Sequence, residues 1–212
     1  MIELFLLPLL AAGQPSAFPP PQVPAPLTVD ARGVGTFTVS GRLVGSEILL
    51  SCVSQKGTTL FETHFAAPEF GGNGLFFSVH SHRGLPAPII VASVDYTAAD
   101  GFWLEIALIA PVNGHLRELF PRHLLLRGAE DGLCIGSLGP GKGLGIALWR
   151  HILGTDGVVP PHRYSVVVYR WSSQSRFVAM ARAETQGHHP TWQGAAEELG
   201  FACSDCLDDQ AK

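Results

Sequence analysis

The sequence predicts an all-β protein, mainly an antiparallel meander forming a partial propeller or a sandwich, with one short C-terminal helix. Three observations carry this. Apolar and polar residues alternate with period two in short runs such as Thr36–Ser40, where Phe37 and Val39 share one face and hydroxyls the other. The 212 residues include 24 glycines and 16 prolines but only 15% charged residues, which suits many short strands joined by tight turns. Turn signals also fall between consecutive apolar runs, so neighbours return as hairpins rather than through βαβ crossovers.

Residues 1–13 are expected to be a signal peptide. Leu4–Ala12 is a nine-residue apolar run, too short to cross a bilayer core of about 30 Å as a helix. Ala11-Ala12-Gly13 supplies the small residues that a signal peptidase reads before Gln14, although Glu3 stands where a basic residue is usual. An N-terminal membrane anchor and an ordinary folded segment are the alternatives. Cleavage would make the protein secreted or periplasmic. Residues 14–27 hold six prolines and read as an extended linker. A single β-rich domain is expected over 28–202, then a tail over 203–212.

Within that domain, strands are expected at Thr36–Ser40, Glu47–Val53, Thr58–Phe65, Leu75–His80 and Ile89–Tyr96. Phe102–Ala110 follows, with Phe102, Leu104, Ile106 and Leu108 on one face. Asn113-Gly114 is the strongest turn, since both residues accept positive φ, and His115–Phe120 returns from it. Two more hairpins pair Leu133–Ser137 with Leu144–Ile152 and Arg163–Trp171 with Arg176–Ala183. Thr191 can cap a helix whose apolar positions Trp192, Ala195, Ala196 and Leu199 fall on one stripe, and Gly200 ends it. That stripe is expected to pack on the sheet.

The segments DGFWLEIALIAPVNGHLRELF (100–120) and RYSVVVYRWSSQSRFVAMARAET (163–185) resemble hairpins of exported bacterial propeller-type repeats of the FG-GAP or VCBS kind. The resemblance implies an exported protein, with a chain long enough for at most a partial propeller or a simple sandwich. Such repeats often carry a D-x-D-x-D-G calcium loop. Here Asp95–Gly101 keeps two acids in a different spacing, too few oxygens for a calcium cage.

The formal charge of −4, with no basic block, excludes a phosphate-backbone interface, so no nucleic-acid partner is expected. Gly136–Gly143 nearly spells a phosphate-binding loop, but Gly143 replaces the hydroxyl residue that would hold magnesium, so a hairpin turn is the better reading. His80 and His82 are two apart on a strand, where both imidazoles face one side; they are the candidate zinc ligands. A third ligand would come from His64, His115 or His123. His188-His189 lies in a loop beside Pro190. Ser137 lacks the first glycine of a nucleophile elbow. Glu130-Asp131 and Glu197-Glu198 read as solvated charge pairs in a loop and at a helix end. Trp103, Trp149, Tyr169 and Trp171 could line a carbohydrate surface, with Trp103 and Trp171 the favoured pair, although strand rings are more often buried. Four cysteines, Cys52, Cys134, Cys203 and Cys206, allow three disulfide pairings. A Cys52–Cys134 bridge across the core and a local Cys203–Cys206 ring are two of the options.

The expected function is an exported, non-catalytic binding or scaffold domain of the cell envelope, with an envelope protein or glycan as partner and no cofactor. The alternative is a metal-dependent hydrolase using zinc on His80 and His82. A carbohydrate-binding module is the further alternative.

Overall fold

The computed structural model describes residues 23–45, 47–66, 72–80, 88–98, 101–153, 160–172, 177–202 and 206–207. The expected all-β antiparallel fold is present. Sheet 1 holds β1 (Leu27–Ala31), β2 (Gly35–Val44), β3 (Glu47–Ser54) and β4 (Thr59–Ala66) in sequence order. Sheet 2 holds β5 (Gly72–His80), β6 (Ile89–Ala98), β7 (Gly101–Val112) and β8 (His115–Glu118); β9 (Leu124–Leu126) pairs with an earlier stretch of β7. Sheet 3 holds β10 (Gly132–Ser137), β11 (Leu144–His151), β12 (Tyr164–Trp171) and β13 (Phe177–Glu184), with β14 (Cys206–Leu207) on the far side of β10. None of the three closes on itself.

Each sheet is thus a meander of adjacent strands, as the hairpin turns require. Asn113 (φ 52°) and Gly114 (φ 80°) make the tight β7–β8 turn. The sheets stack face to face, and the period-two pattern of sheet 2 serves both neighbours. Ile90, Ala92, Val94, Ala107 and Ile109 pack with Phe37, Val39, Ile48, Leu50 and Phe65 of sheet 1. Their alternating neighbours Ile89, Val91, Ile106 and Leu108 pack with Leu133, Ile135, Ile146 and Leu148 of sheet 3. Phe102–Ala110 therefore has apolar residues on both faces, where the alternation read from the sequence assigned only one.

The helix α1 (Trp192–Glu198) covers the outer face of sheet 3, with Trp192, Ala195 and Ala196 against Trp149, Val166 and Val168. Its expected stripe is in place. Thr191 stands at the N-cap, but its side chain makes no capping hydrogen bond, and Gly200 (φ 68°) ends the last turn. Trp192 fits because Gly132 has no side chain: a Cβ there would lie 2.3 Å from the indole.

Three strands escape a reading of sequence periodicity. β1 begins directly after the proline-rich stretch, while β9 and β14 have three and two residues. A Cys52–Cys134 bridge is excluded. Cys52 is a buried free thiol between sheets 1 and 2, whereas Cys134 lies on the helix-covered face of sheet 3, with sheet 2 intervening. Cys206 stands directly opposite Cys134 in the β10–β14 pair, and Cys203 is outside the described residues. Among the described residues no helix is long and apolar enough to cross a membrane.

Candidate functional site

The chain concentrates its buried polar chemistry at one end of sheet 3. A 3₁₀ turn (Gly128–Glu130) leads from β9 to β10 and delivers Asp131, 8% exposed, beneath the end of β11. Oδ2 of Asp131 accepts the Arg127 amide at 3.1 Å. Oδ1 accepts the His151 amide at 3.0 Å and lies 2.8 Å from His151 Nδ1. An ionised carboxylate only accepts, so this contact places a proton on Nδ1 and fixes the ring orientation.

The opposite nitrogen of that ring, Nε2, faces Glu130 Oε2 at 3.6 Å, beyond hydrogen-bond length. Arg127 Nε is 3.7 Å from the same oxygen. Tyr164 is the register partner of His151 across β11 and β12. His162, fully buried and two residues earlier, has its ring 5.2 Å from that of His151 and 6.4 Å from that of Tyr164. Burial pushes the Tyr164 hydroxyl up to about 12, with the charges of Glu130 and Asp131 adding to the effect.

Glu130 Oε2, His151 Nε2, both ring nitrogens of His162 and the Tyr164 hydroxyl are buried without a hydrogen-bond partner. A buried polar group that nothing satisfies, water included, costs about 1–3 kcal/mol. The loop reading of Glu130-Asp131 as a solvated pair is corrected for Asp131, which is buried and committed to His151. Sequence alone missed His151, His162 and Tyr164. The available signal was His162-Arg163-Tyr164 at the mouth of a strand, where residues two apart share a face.

A second centre joins sheets 1 and 2. His123 Nδ1 lies 2.7 Å from Glu105 and its Nε2 3.2 Å from Glu118, while the Thr63 hydroxyl donates to Glu118 at 2.7 Å. Phe65 stacks on the imidazole at 4.6 Å. The His123 pKa is raised, chiefly by the hydrogen bond to Glu105 and against the effect of burial. A third centre is structural: His189 Nε2 meets Glu198 at 2.6 Å, and Glu198 also accepts the Gln186 and Gly187 amides, pinning α1 to the preceding loop.

The other expected site residues are dispersed. His80 ends β5 with its backbone opposite Ile89; its side chain and all of His82 lie outside the described residues. His64 pairs with Glu47 on the outer face of sheet 1, His123 lies behind that sheet, and His115 is exposed at the start of β8. Trp149 is core, stacked on Trp192. Tyr169 packs edge-on to Phe120. Trp103 sits under the Arg127 guanidinium on the sheet 1 side of β7, while Trp171 packs with Phe177 on the sheet 3 side of the stack, so the two share no platform. Gly136–Gly143 is a hairpin turn, closed by the Lys142 amide on Gly139. Among the described residues no three His, Cys, Asp or Glu side chains already converge as a metal cage.

No protein-family model, curated protein or solved structure matches the chain.

Proposed function

We propose that the chain is an exported, non-catalytic binding or scaffold domain of the cell envelope, presenting the outer face of sheet 1 to a polar partner. The observation that carries this reading is the composition of that face. Directly opposed residues of antiparallel strands share a side, so the register stacks Thr28–Thr38–Val53, Asp30–Thr36, Ser40–Ser51–Glu62 and Arg42–Leu49–His64 in rows. Hydroxyls and charges dominate them. Thr36 donates to Asp30, Ser51 donates to Glu62, and His64 pairs with Glu47. A largely polar face, with Leu49 buried among its neighbours and two apolar interlayers behind it, suits hydrogen bonding to a glycan or to an envelope protein. The apolar leader Leu4–Ala12 supports export.

The test is photo-crosslinking in living cells from Thr38 and Arg42, with Met180 on β13 as the control position. A discrete envelope adduct from the first two positions supports the reading; its sensitivity to protease or glycosidase tells protein from glycan. Equal adducts from Met180 would overturn the sheet 1 face as the binding surface, and a purified chain with hydrolytic turnover that depends on His80 and His82 would replace the reading with the hydrolase alternative. The mature N-terminus should be Gln14.

A further inference from the structure

We infer that Asn113-Gly114, at the tip of the β7–β8 hairpin, is a spontaneous deamidation site whose isoaspartate product loosens the seam between sheets 1 and 2. This site is separate from the binding face proposed for sheet 1.

Deamidation needs an asparagine side chain and a following backbone amide that is free to attack it. Both asparagines of the chain, Asn73 and Asn113, are followed by glycine. The fold separates them. Asn113 and Gly114 form an exposed two-residue turn between the paired Val112 and His115, with φ 52° and 80°. Among the described residues nothing accepts a hydrogen bond from the Gly114 amide, and none ties down the Asn113 carboxamide. Gly114 also carries no Cβ to hinder the approach of its nitrogen. Asn73 instead lies inside β5, at a register shift between Gly72 and Gly74, which pair with Tyr96 and Asp95 of β6.

The step balances with one water. The Gly114 nitrogen attacks Cγ of Asn113; the N–Cγ bond forms and the Cγ–Nδ2 bond breaks. Nδ2 leaves as ammonia, taking the proton that the Gly114 amide gives up, and a five-membered succinimide remains. Water then opens that ring. Attack at Cγ gives aspartate, while attack at the main-chain carbonyl carbon of Asn113 gives isoaspartate. Nothing is oxidised or reduced.

Isoaspartate adds a negative charge and lengthens the backbone of the turn by one methylene. The longer turn meets a neighbour. A Cβ on Gly114 would lie 3.4 Å from the Gly33 carbonyl oxygen, and one on Gly33 would lie 3.9 Å from the Gly114 Cα. Gly33 belongs to the turn between β1 and β2, so sheets 1 and 2 meet here tip to tip. Close behind in the chain, Leu116 packs in one apolar cluster with Val29, Ala31 and Val34 of that opposing hairpin.

The experiment incubates the full chain at mildly alkaline pH, folded or unfolded in urea, and follows ammonia release and peptide maps. In the folded chain Asn113 should convert at least about tenfold faster than Asn73, since about 1.4 kcal/mol of local opening in β5 already gives that factor. In urea the two should convert at similar rates. Folded protein aged in this way should melt about 2–4 °C below fresh protein. Asn113→Gly keeps a turn that accepts positive φ, and incubation should leave its own Tm unchanged. Equal rates at the two asparagines in the folded chain, or conversion of Asn113 in urea alone, overturns the site. An isoaspartate-bearing chain that melts like fresh protein, or an equal drop in aged Asn113→Gly, overturns its hold on the seam.

Discussion

Nδ1 of His123 lies 2.7 Å from Oε1 of Glu105, and this pair fastens sheet 2 to sheet 1 through Glu118 and Thr63. The folded state holds the His123 pKa above its ordinary value of 6.5. A raised histidine stabilises in full below its unfolded pKa, and the contribution disappears as pH rises through the folded value. Wild-type stability should therefore fall from pH 6 towards pH 9 in urea titrations. His123→Asn should flatten that slope and cost about 1–2 kcal/mol at pH 6, less than a fully buried pair because water reaches the site. An unchanged slope in the variant would remove His123 as its source.

Gly132 lies beneath the helix, and its missing Cβ is what lets the Trp192 ring sit 2% exposed against sheet 3. Gly132→Ala should push Trp192 outward and cost about 1–3 kcal/mol, the range for overpacking a close-packed contact. Its tryptophan emission should shift to the red, since Trp192 stacks on Trp149 in the same layer. A variant with wild-type stability and emission would show that α1 is not seated by this approach.

The strands were legible wherever local chemistry repeats. Phe37 and Val39 alternate with hydroxyls, Asn113-Gly114 accepts positive φ, and Trp192, Ala195 and Ala196 fall on one helical stripe. These signals need only neighbouring residues. The stacking order was not legible, because the two faces of β7 look alike until one knows that a sheet covers each. The Asp131–His151 pair was hidden for a related reason. Asp131 and His151 are brought together by the pairing of β10 with β11, and a carboxylate beside Glu130 reads as solvated until that pairing buries it. β9 and β14 are too short to show a period at all.

The cysteines separate into two behaviours. Burial between sheets 1 and 2 pushes the Cys52 thiol up to about 12, so almost no nucleophilic thiolate is present near neutral pH. Iodoacetamide should leave Cys52 unmodified in the native protein and label it only after unfolding. Cys134 and Cys206 are direct register partners. In an oxidising compartment they are expected to bridge, closing a long loop worth about 4 kcal/mol in the chain-entropy model. Non-reducing peptide mapping checks this: a Cys203–Cys206 peptide in its place would refute the cross-strand pairing. Cys134→Ser should then lower stability in oxidised protein and leave reduced protein less affected.

Substitutions of the buried hydroxyl of Tyr164 and of the imidazole of His151 should change stability in opposite directions. Tyr164→Phe keeps the packing against Trp149, Val166 and Val168 and removes an unpartnered polar atom. It should be neutral or stabilising by up to about 1 kcal/mol, since the hydroxyl has nothing to lose. His151→Phe instead strips Asp131, 8% exposed, of its side-chain donor and leaves a buried carboxylate with only two backbone amides. Breaking such a pair from one side costs about 3 kcal/mol. Urea midpoints measure both changes. A loss of 2 kcal/mol or so in Tyr164→Phe, the range for a broken buried hydrogen bond, would mean that the hydroxyl is bonded after all, most simply to a buried water.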